Sequence, residues 1–169
     1  EAVQGVPAVG PTGKLLNRMI SRLRDPLSGQ LFDSDDFVVT NAVWCRPVEL
    51  TGTKIINRTP TEEEQAWCSK RYLLPLIEEL QPKAILAAGA VPFGLLTGHQ
   101  GIRKLRGYPF EMLGTKIPVV GTYHPSYLMK GQLPLTRVWQ MDLQKALFLA
   151  RNGRMPTIER RYICDPSPD

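Results

Sequence analysis

Two segments of the sequence combine an apolar run with residues that can bind a polar ligand. In the first, residues 119–121 (Val-Val-Gly) lead into Thr-Tyr-His-Pro-Ser-Tyr-Leu, so His124 follows a run typical of a buried strand. Open α/β sheets bind ligands at the carboxyl ends of their strands, which is where this imidazole is expected. The alternative is that His124 is a hydrogen-bonded loop residue and that Tyr127 and Leu128 fold back as core.

The second segment lies upstream, where residues 37–43 form an apolar run that contains Thr40-Asn41. The run predicts a strand, with Asn41 near its carboxyl end. The amide of Asn41 can both donate and accept hydrogen bonds, which suits one flat polar ligand. The two predicted strand ends would then face one crevice.

Five short blocks, spread in order over residues 5 to about 148, carry the most specific signal. They are Pro7 to Leu16 (PAVGPTGKLL), Thr40-Asn41 with Cys45-Arg46-Pro47, Pro60-Thr61-x-Glu63 leading to Cys68, Pro82-Lys83 ending in Ala88-Gly89, and Thr122 to Leu128. Together they resemble a uracil-DNA glycosylase of the family 4 type. The resemblance implies an α/β fold, namely a three-layer αβα domain with a central, mostly parallel four-stranded sheet. It also implies an enzyme that flips uracil out of DNA and hydrolyses its bond to the sugar.

The resemblance also implies roles for individual residues. His124 would donate a hydrogen bond to uracil O2, on which negative charge develops as the glycosidic bond breaks. Asn41 would read the Watson–Crick edge of the flipped base. Tyr127 and Leu128 would enter the minor groove as a wedge. The residues expected to contact DNA in this loop are Ser126, Tyr127, Leu128 and Lys130.

Two positions near the expected base pocket need separate comment. Gly89 would border the pocket, although close packing of a helix on a strand explains a glycine there equally well. Ala8 stands where the family has a phenylalanine that stacks on the uracil, and losing such stacking weakens binding by roughly 1 to 3 kcal/mol. Ala8 is either native or engineered. The family's motif with a water-orienting acid is expected before Glu1, so the chain is interpreted as a fragment.

Cys45 and Cys68 match two of the four cysteines that hold an iron-sulfur cluster in the family. The sequence contains 3 cysteines, and the third, Cys164, lies in a proline-rich tail. We therefore expect a cluster in the full-length protein that this chain alone cannot complete. The alternative is that Cys45 and Cys68 are buried free thiols of an intracellular protein.

The charge balance favours a polyanionic partner, with 21 basic against 16 acidic residues and a pI near 9.3. Two basic groups are candidates for contacts with DNA phosphates, and solvated surface is the alternative for both. They are a helical stripe of Lys14, Arg18 and Arg22 and a loop cluster of Arg103, Lys104 and Arg106. The expected partner is uracil-containing DNA, single- or double-stranded.

The hydrophobic pattern predicts an alternation of helices and strands. Helices are expected over residues 12–24, over 59–80 with a break at Pro75, from about 91, and over 136–150. Strands are expected over 37–43, 83–89, 108–113 and 116–121, and loops over 46–58 and 98–107. The last helix is expected to face inward with Val138, Met141, Leu143, Leu147 and Phe148. Residues 1–152 would form the glycosylase-like domain, and 153–169 a tail or linker.

Two hypotheses of different class follow from these observations. The first is an active uracil-DNA glycosylase, and the second is a weak or inactive glycosylase-fold module that binds DNA for a larger replication protein such as a DNA polymerase. Retained Asn41 and His124 favour the enzyme, while Ala8 favours the module. A nucleotide-binding domain is a weaker interpretation because no glycine-rich phosphate fingerprint is present. No apolar run approaches the ~20 residues that cross a bilayer, so a cytoplasmic protein is expected.

Overall fold

A computed structural model describes residues 10–24, 29–31 and 37–155 of the chain. The helices are α1 (Pro11–Ile20), α2 (Glu62–Cys68), α3 (Leu74–Leu80), α4 (Ala90–Thr97), α5 (Ile102–Leu105), α6 (Pro125–Met129) and α7 (Thr136–Asn152). A π-helical turn (Ser69–Leu73) joins α2 to α3, and a 3₁₀ turn (Leu133–Leu135) precedes α7. The strands are β1 (Val48–Thr51), β2 (Lys54–Asn57), β3 (Ile85–Ala88), β4 (Pro109–Glu111) and β5 (Pro118–Thr122). None of the helices in the described ranges is long and apolar enough to cross a membrane.

The central sheet has three strands in the order β3-β5-β4. β3 and β5 are parallel, with Ile85 opposite Val119 and Ala88 opposite Thr122, while β4 runs antiparallel to β5. β1 and β2 form a separate antiparallel hairpin. The prediction of a mixed helix and strand domain is therefore confirmed. A four-stranded, mostly parallel sheet is not present among the described residues.

Helices cover both faces of this sheet, which explains why β5 is apolar at successive positions. Val119 and Val120 are both fully buried. Val119 belongs to a core cluster with Leu73, Ile77 and Phe93 from the α2–α4 side, whereas Val120 packs with Ala146 and Leu149 of α7. Consecutive residues of a strand point to opposite faces, so a strand between two helical layers is apolar on both.

The predicted strand over residues 37–43 is wrong, because the structure assigns no strand there. The run is β-branched, but its side chains do not fill a layer: Val38 is 64% exposed and Val39 36% exposed. Phe37 packs instead with Met19 and Leu23, and Ala42 packs against the cluster that contains Phe93. A β-branched run favours a strand only where a neighbouring strand pairs with it.

Three further boundaries differ from the prediction. α1 ends at Ile20 rather than at residue 24, the predicted loop over 46–58 contains the hairpin of β1 and β2, and that over 98–107 contains α5. Pro75 does interrupt the long helix as expected. The amide of Leu74 donates to the carbonyl of Ser69, five residues back, and the widened turn precedes the proline that cannot donate. α7 ends at Asn152, and residues 156–169, which include Cys164, lie outside the described part.

Candidate functional site

The carboxyl ends of β3 and β5 bring Gly89 and His124 together at one edge of the sheet. The two strands are parallel neighbours, and the Gly89 amide donates to the Thr122 carbonyl at 2.9 Å. Gly89 has a φ of +108°, and a Cβ placed there would lie 3.2 Å from the Cβ of His124. Because a side chain at residue 89 would press on His124, glycine is the residue that fits both the backbone conformation and the space.

The imidazole of His124 is oriented by the first turn of the helix that follows it. His124 caps α6, and its Nδ1 accepts a hydrogen bond from the Ser126 amide at 3.2 Å. The Ser126 hydroxyl lies 2.7 Å from the same nitrogen. A backbone amide can only donate, so Nδ1 is the acceptor and the proton of the neutral ring is on Nε2. His124 is exposed at the edge of the sheet.

The structure describes Asn41 but not Ala8. Asn41 is half-buried in the irregular segment before Cys45, and it does not end a strand. Its neighbour Ala42 packs on the core cluster that includes Ala87 of β3 and Phe93 of α4, the two elements on either side of Gly89. Ala8 lies outside the described residues.

The loop residues expected to contact DNA divide between the surface and the core. Leu128 is fully buried with Met19, Leu23 and Trp139, so the expected exposed wedge at Leu128 is not found. Tyr127 is half-buried, with its ring 5.4 Å from that of Tyr123, and Ser126 holds the His124 ring. Lys130 is exposed. Met129, which the sequence reasoning missed, is 46% exposed beside it.

The basic residues expected to contact DNA differ in exposure and pairing. Lys14 and Arg18 are exposed on α1, while Arg22 is exposed in the turn after it rather than on the predicted longer helix. Arg103 and Lys104 are exposed on α5. Arg106 is a correction: its guanidinium donates to both carboxylate oxygens of Asp142, at 2.8 and 2.9 Å, and Asp142 is fully buried. Its charge is paired with this carboxylate, and its side chain is 23% exposed.

The structure brings Cys45 and Cys68 together, with their sulfur atoms 3.7 Å apart. Cys45 is exposed and Cys68 is buried. The hydrogen bond between the thiols raises the pKa of Cys45. Within the described ranges, no group of three or more His, Cys, Asp or Glu residues could hold a metal ion. The two thiols are donors of the type that ligates iron-sulfur clusters.

A set of polar contacts that sequence reasoning missed fixes the region around the two cysteines. Arg58 donates to both carboxylate oxygens of Glu64 and to the Val48 carbonyl, and so joins the hairpin to the start of α2. Thr61 and Glu64 form a reciprocal capping box there. Arg58 and the Thr61 amide hold the pKa of Glu64 at about 2, below its ordinary value near 4.5. The Thr61-x-x-Glu64 spacing was the available signal.

An exposed aromatic group near the cysteines was also missed. Trp44, 53% exposed, stacks on Tyr72 with ring centroids 5.1 Å apart. Trp67, 57% exposed, meets the same ring edge-on at 5.8 Å. Trp44 and Tyr72 lie far apart in the sequence, so no local pattern indicated their contact.

These features describe a mixed α/β domain whose candidate ligand site lies at the carboxyl edge of its parallel strands. A family model for the uracil DNA glycosylase superfamily matches residues 1–144. The chain therefore belongs to the uracil-DNA glycosylase superfamily, and the relatives described next are of type 4. The family resemblance drawn from the sequence blocks is confirmed.

Three curated relatives share the name type-4 uracil-DNA glycosylase. The protein of Thermotoga maritima is 37% identical over 153 residues, which cover 88% of this chain and 71% of the relative. That of Saccharolobus solfataricus is 33% identical over 152 residues, covering 86% of this chain and 63% of the relative. That of Sulfurisphaera tokodaii is 31% identical over 166 residues, covering 94% and 69%. The chain thus spans about two thirds of the length of these relatives.

Proposed function

We propose that the protein removes uracil from DNA by hydrolysing the N-glycosidic bond. The observation that carries this proposal is the orientation of His124, whose Nδ1 accepts from the Ser126 amide and whose other ring nitrogen carries the proton. Its position beside Gly89, at the carboxyl edge of two parallel strands, agrees with a ligand site. The relatives named above are called uracil-DNA glycosylases, which supports this substrate.

The chemistry requires a donor where charge develops. As the bond from sugar to base breaks, positive charge builds on the sugar and negative charge builds on uracil O2. A neutral imidazole with its proton on Nε2 can donate a hydrogen bond to that oxygen. The buried strand before it and the capping turn after it hold the ring in place before substrate binds, which makes the donor more effective.

Asn41 would supply base specificity. Its amide can accept from uracil N3–H and donate to O4, whereas cytosine offers an amino group at the second position. A site that hydrogen-bonds one edge discriminates strongly against a base with the opposite pattern, because buried polar groups are then left unpaired. The packing of Ala42 on the cluster beside Gly89 gives Asn41 an anchored neighbour.

Cys45 and Cys68 would hold an iron-sulfur cluster as two of its four ligands, with the others supplied from outside the described residues. When bound, such a cluster would fix the hairpin of β1 and β2 to α2, because its thiolates come from both sides of that contact. Iron analysis of the full-length protein tests this. Cys68→Ala should lose the iron that the unaltered protein retains, and equal iron in both would contradict the assignment.

Uracil release from a defined oligonucleotide tests the proposed function. The protein should release uracil from a strand with one deoxyuridine and leave the matched thymidine strand intact. Asn41→Asp should shift preference away from uracil, because a carboxylate repels O4 while it accepts from an amino group. Binding of both strands with no base release from either would favour the alternative of a DNA-binding module. Association with a DNA polymerase stays a prediction.

Binding to DNA should weaken steeply with salt. Lys14, Arg18, Arg22, Arg103 and Lys104 are exposed and available to phosphates. If three to five of them neutralise phosphates, the log–log slope on duplex is about −3 to −5. Titration of a labelled duplex at several salt concentrations measures this slope. An affinity that does not change with salt would contradict a phosphate-binding surface.

A further inference from the structure

We propose that the ion pair between Arg106 and the buried Asp142 is a positioning device for His124, an inference that rests on the proposed function. Asp142 lies on α7, with its carboxylate fully buried under the sheet. One carboxylate oxygen accepts from Arg106 Nη2 at 2.8 Å, and the other accepts from Arg106 Nε at 2.9 Å. That second oxygen also accepts from the Thr122 hydroxyl at 2.8 Å.

The pair contacts the chain directly before His124 at two successive residues. Thr122 is the last residue of β5 and is fully buried, so its bond to Asp142 fixes where the strand ends. The Arg106 guanidinium carbon lies 5.5 Å from the centre of the Tyr123 ring, a cation–π distance. Tyr123 in turn contacts Tyr127, in the helix that His124 caps. One ion pair therefore restrains the residues on both sides of the imidazole.

The backbone at Gly107 packs closely against the ion pair. Gly107 is buried with a φ of +74°, and a Cβ there would lie 2.5 Å from a carboxylate oxygen of Asp142. Its amide donates to the Gly121 carbonyl at 2.9 Å, and its own carbonyl accepts from Lys145 Nζ at 3.0 Å. These bonds tie the turn before β4 to β5 and to α7 at the level of Asp142.

The energetics favour a role in geometry over one in stability. A buried ion pair is often no more stabilising than apolar residues of the same volume, because both charges lose their hydration. A planar guanidinium that binds a carboxylate through two bonds and covers a ring fixes both partners in one orientation, which an apolar contact does not do. Misplacement of a reacting group by about 1 Å can lower a rate by 10²-fold.

The test compares Arg106→Lys and Arg106→Gln with the unaltered protein. Both variants lose the bidentate bonds, but lysine retains the charge. The single-turnover rate of uracil release should fall about tenfold or more in Arg106→Gln and less in Arg106→Lys. Affinity for uracil-containing DNA should change by less than about threefold, because the Arg106 charge is already paired with Asp142. The ¹⁵N NMR signals of the His124 ring should move or broaden in both variants.

Lys116→Gln is the matched control, because Lys116 also pairs with a carboxylate next to β5 but is 89% exposed. It should leave the rate and the His124 signals unchanged. If the Arg106 variants do not fold, Tyr123→Leu removes the ring that Arg106 covers and leaves the bonds between Arg106 and Asp142 in place. Tyr123→Phe, which keeps the ring, should recover most of the lost rate. Folded variants with an unaltered rate and unaltered His124 signals would overturn the proposal. If the unaltered protein releases no uracil, the proposed function fails, and the His124 signals still decide whether Arg106 positions the ring.

Discussion

The edge of the sheet at His124 and the pair of cysteines at Cys45 and Cys68 are built in opposite ways. Around His124, β5 is buried on both faces and Asp142 is 0% exposed. Around the cysteines, every residue of β1 and β2 is exposed, and the Arg58–Glu64 ion pair is about a third exposed at each side chain. The core of this chain thus fixes the candidate donor. The cysteine pair joins the buried Cys68 to Cys45, which lies in an exposed segment.

The largest difference in stability between the two regions is expected when the buried carboxylate of Asp142 is removed. Asp142→Ala leaves Arg106 without its partner in the interior, and it should lower the free energy of unfolding by about 3 to 5 kcal/mol. Lys116→Ala, at the exposed pair with Glu111, should lower it by less than about 1 kcal/mol. Urea denaturation of both variants measures the contrast. Equal free energies of unfolding in the two variants would mean that the contacts at the edge of the sheet stabilise the fold no more than the surface contact does.

A second prediction separates the effect of backbone strain at a glycine from the effect of a steric contact with His124. Gly89→Ala places a Cβ 3.2 Å from His124 at a φ of +108°, whereas Gly114→Ala has a φ of +72° and nothing within 4 Å. Both substitutions should destabilise the fold by about 1 to 3 kcal/mol through backbone strain. Gly89→Ala alone should also slow uracil release. A similar rate in both variants would show that the contact with His124 has no effect on the chemistry.

The sequence predicted the sheet edge well because its signals are local. The apolar run before His124 and the short run ending at Gly89 correspond to β5 and β3, and both strands lie within a residue or two of the expected ranges. The same kind of run failed at residues 37–43, where no strand in the described part of the chain pairs with it. Pairing is a long-range property, and local composition does not contain it.

The ion pair of Arg106 with the buried Asp142 shows a second limit of prediction from the sequence. Met141 was expected to face inward on α7 but is 56% exposed, whereas Asp142 is fully buried. The buried residues of this helix are Trp139, Asp142, Leu143, Ala146 and Leu149. They follow helical spacing. An aspartate on the inner face of a helix nevertheless contradicts the apolar pattern expected there, unless the residue that pairs with it is known. That partner, Arg106, lies 36 residues away and was interpreted as a DNA contact.

The smallest effect is expected on the cysteine side, in acid. Arg58 and Thr61 hold the pKa of Glu64 at about 2 in the folded state, below its ordinary value near 4.5. A lowered pKa stabilises the fold at pH values above about 4.5, and this stabilisation is lost as the pH falls toward 2. The urea midpoints of the unaltered protein and of Glu64→Gln should therefore differ at neutral pH and converge below pH 4.5. A difference that stays constant into acid would contradict the role of this contact.

The most direct test of the central claim is the single-turnover rate of uracil release in His124→Ala. The claim is that the donor at the edge of the sheet performs the chemistry. The rate should fall by about a hundredfold or more, because loss of one donor to a developing oxyanion costs about 2.7 to 4 kcal/mol. DNA affinity and thermal stability should stay close to those of the unaltered protein. A variant that folds, binds DNA and releases uracil at the unaltered rate would contradict the account.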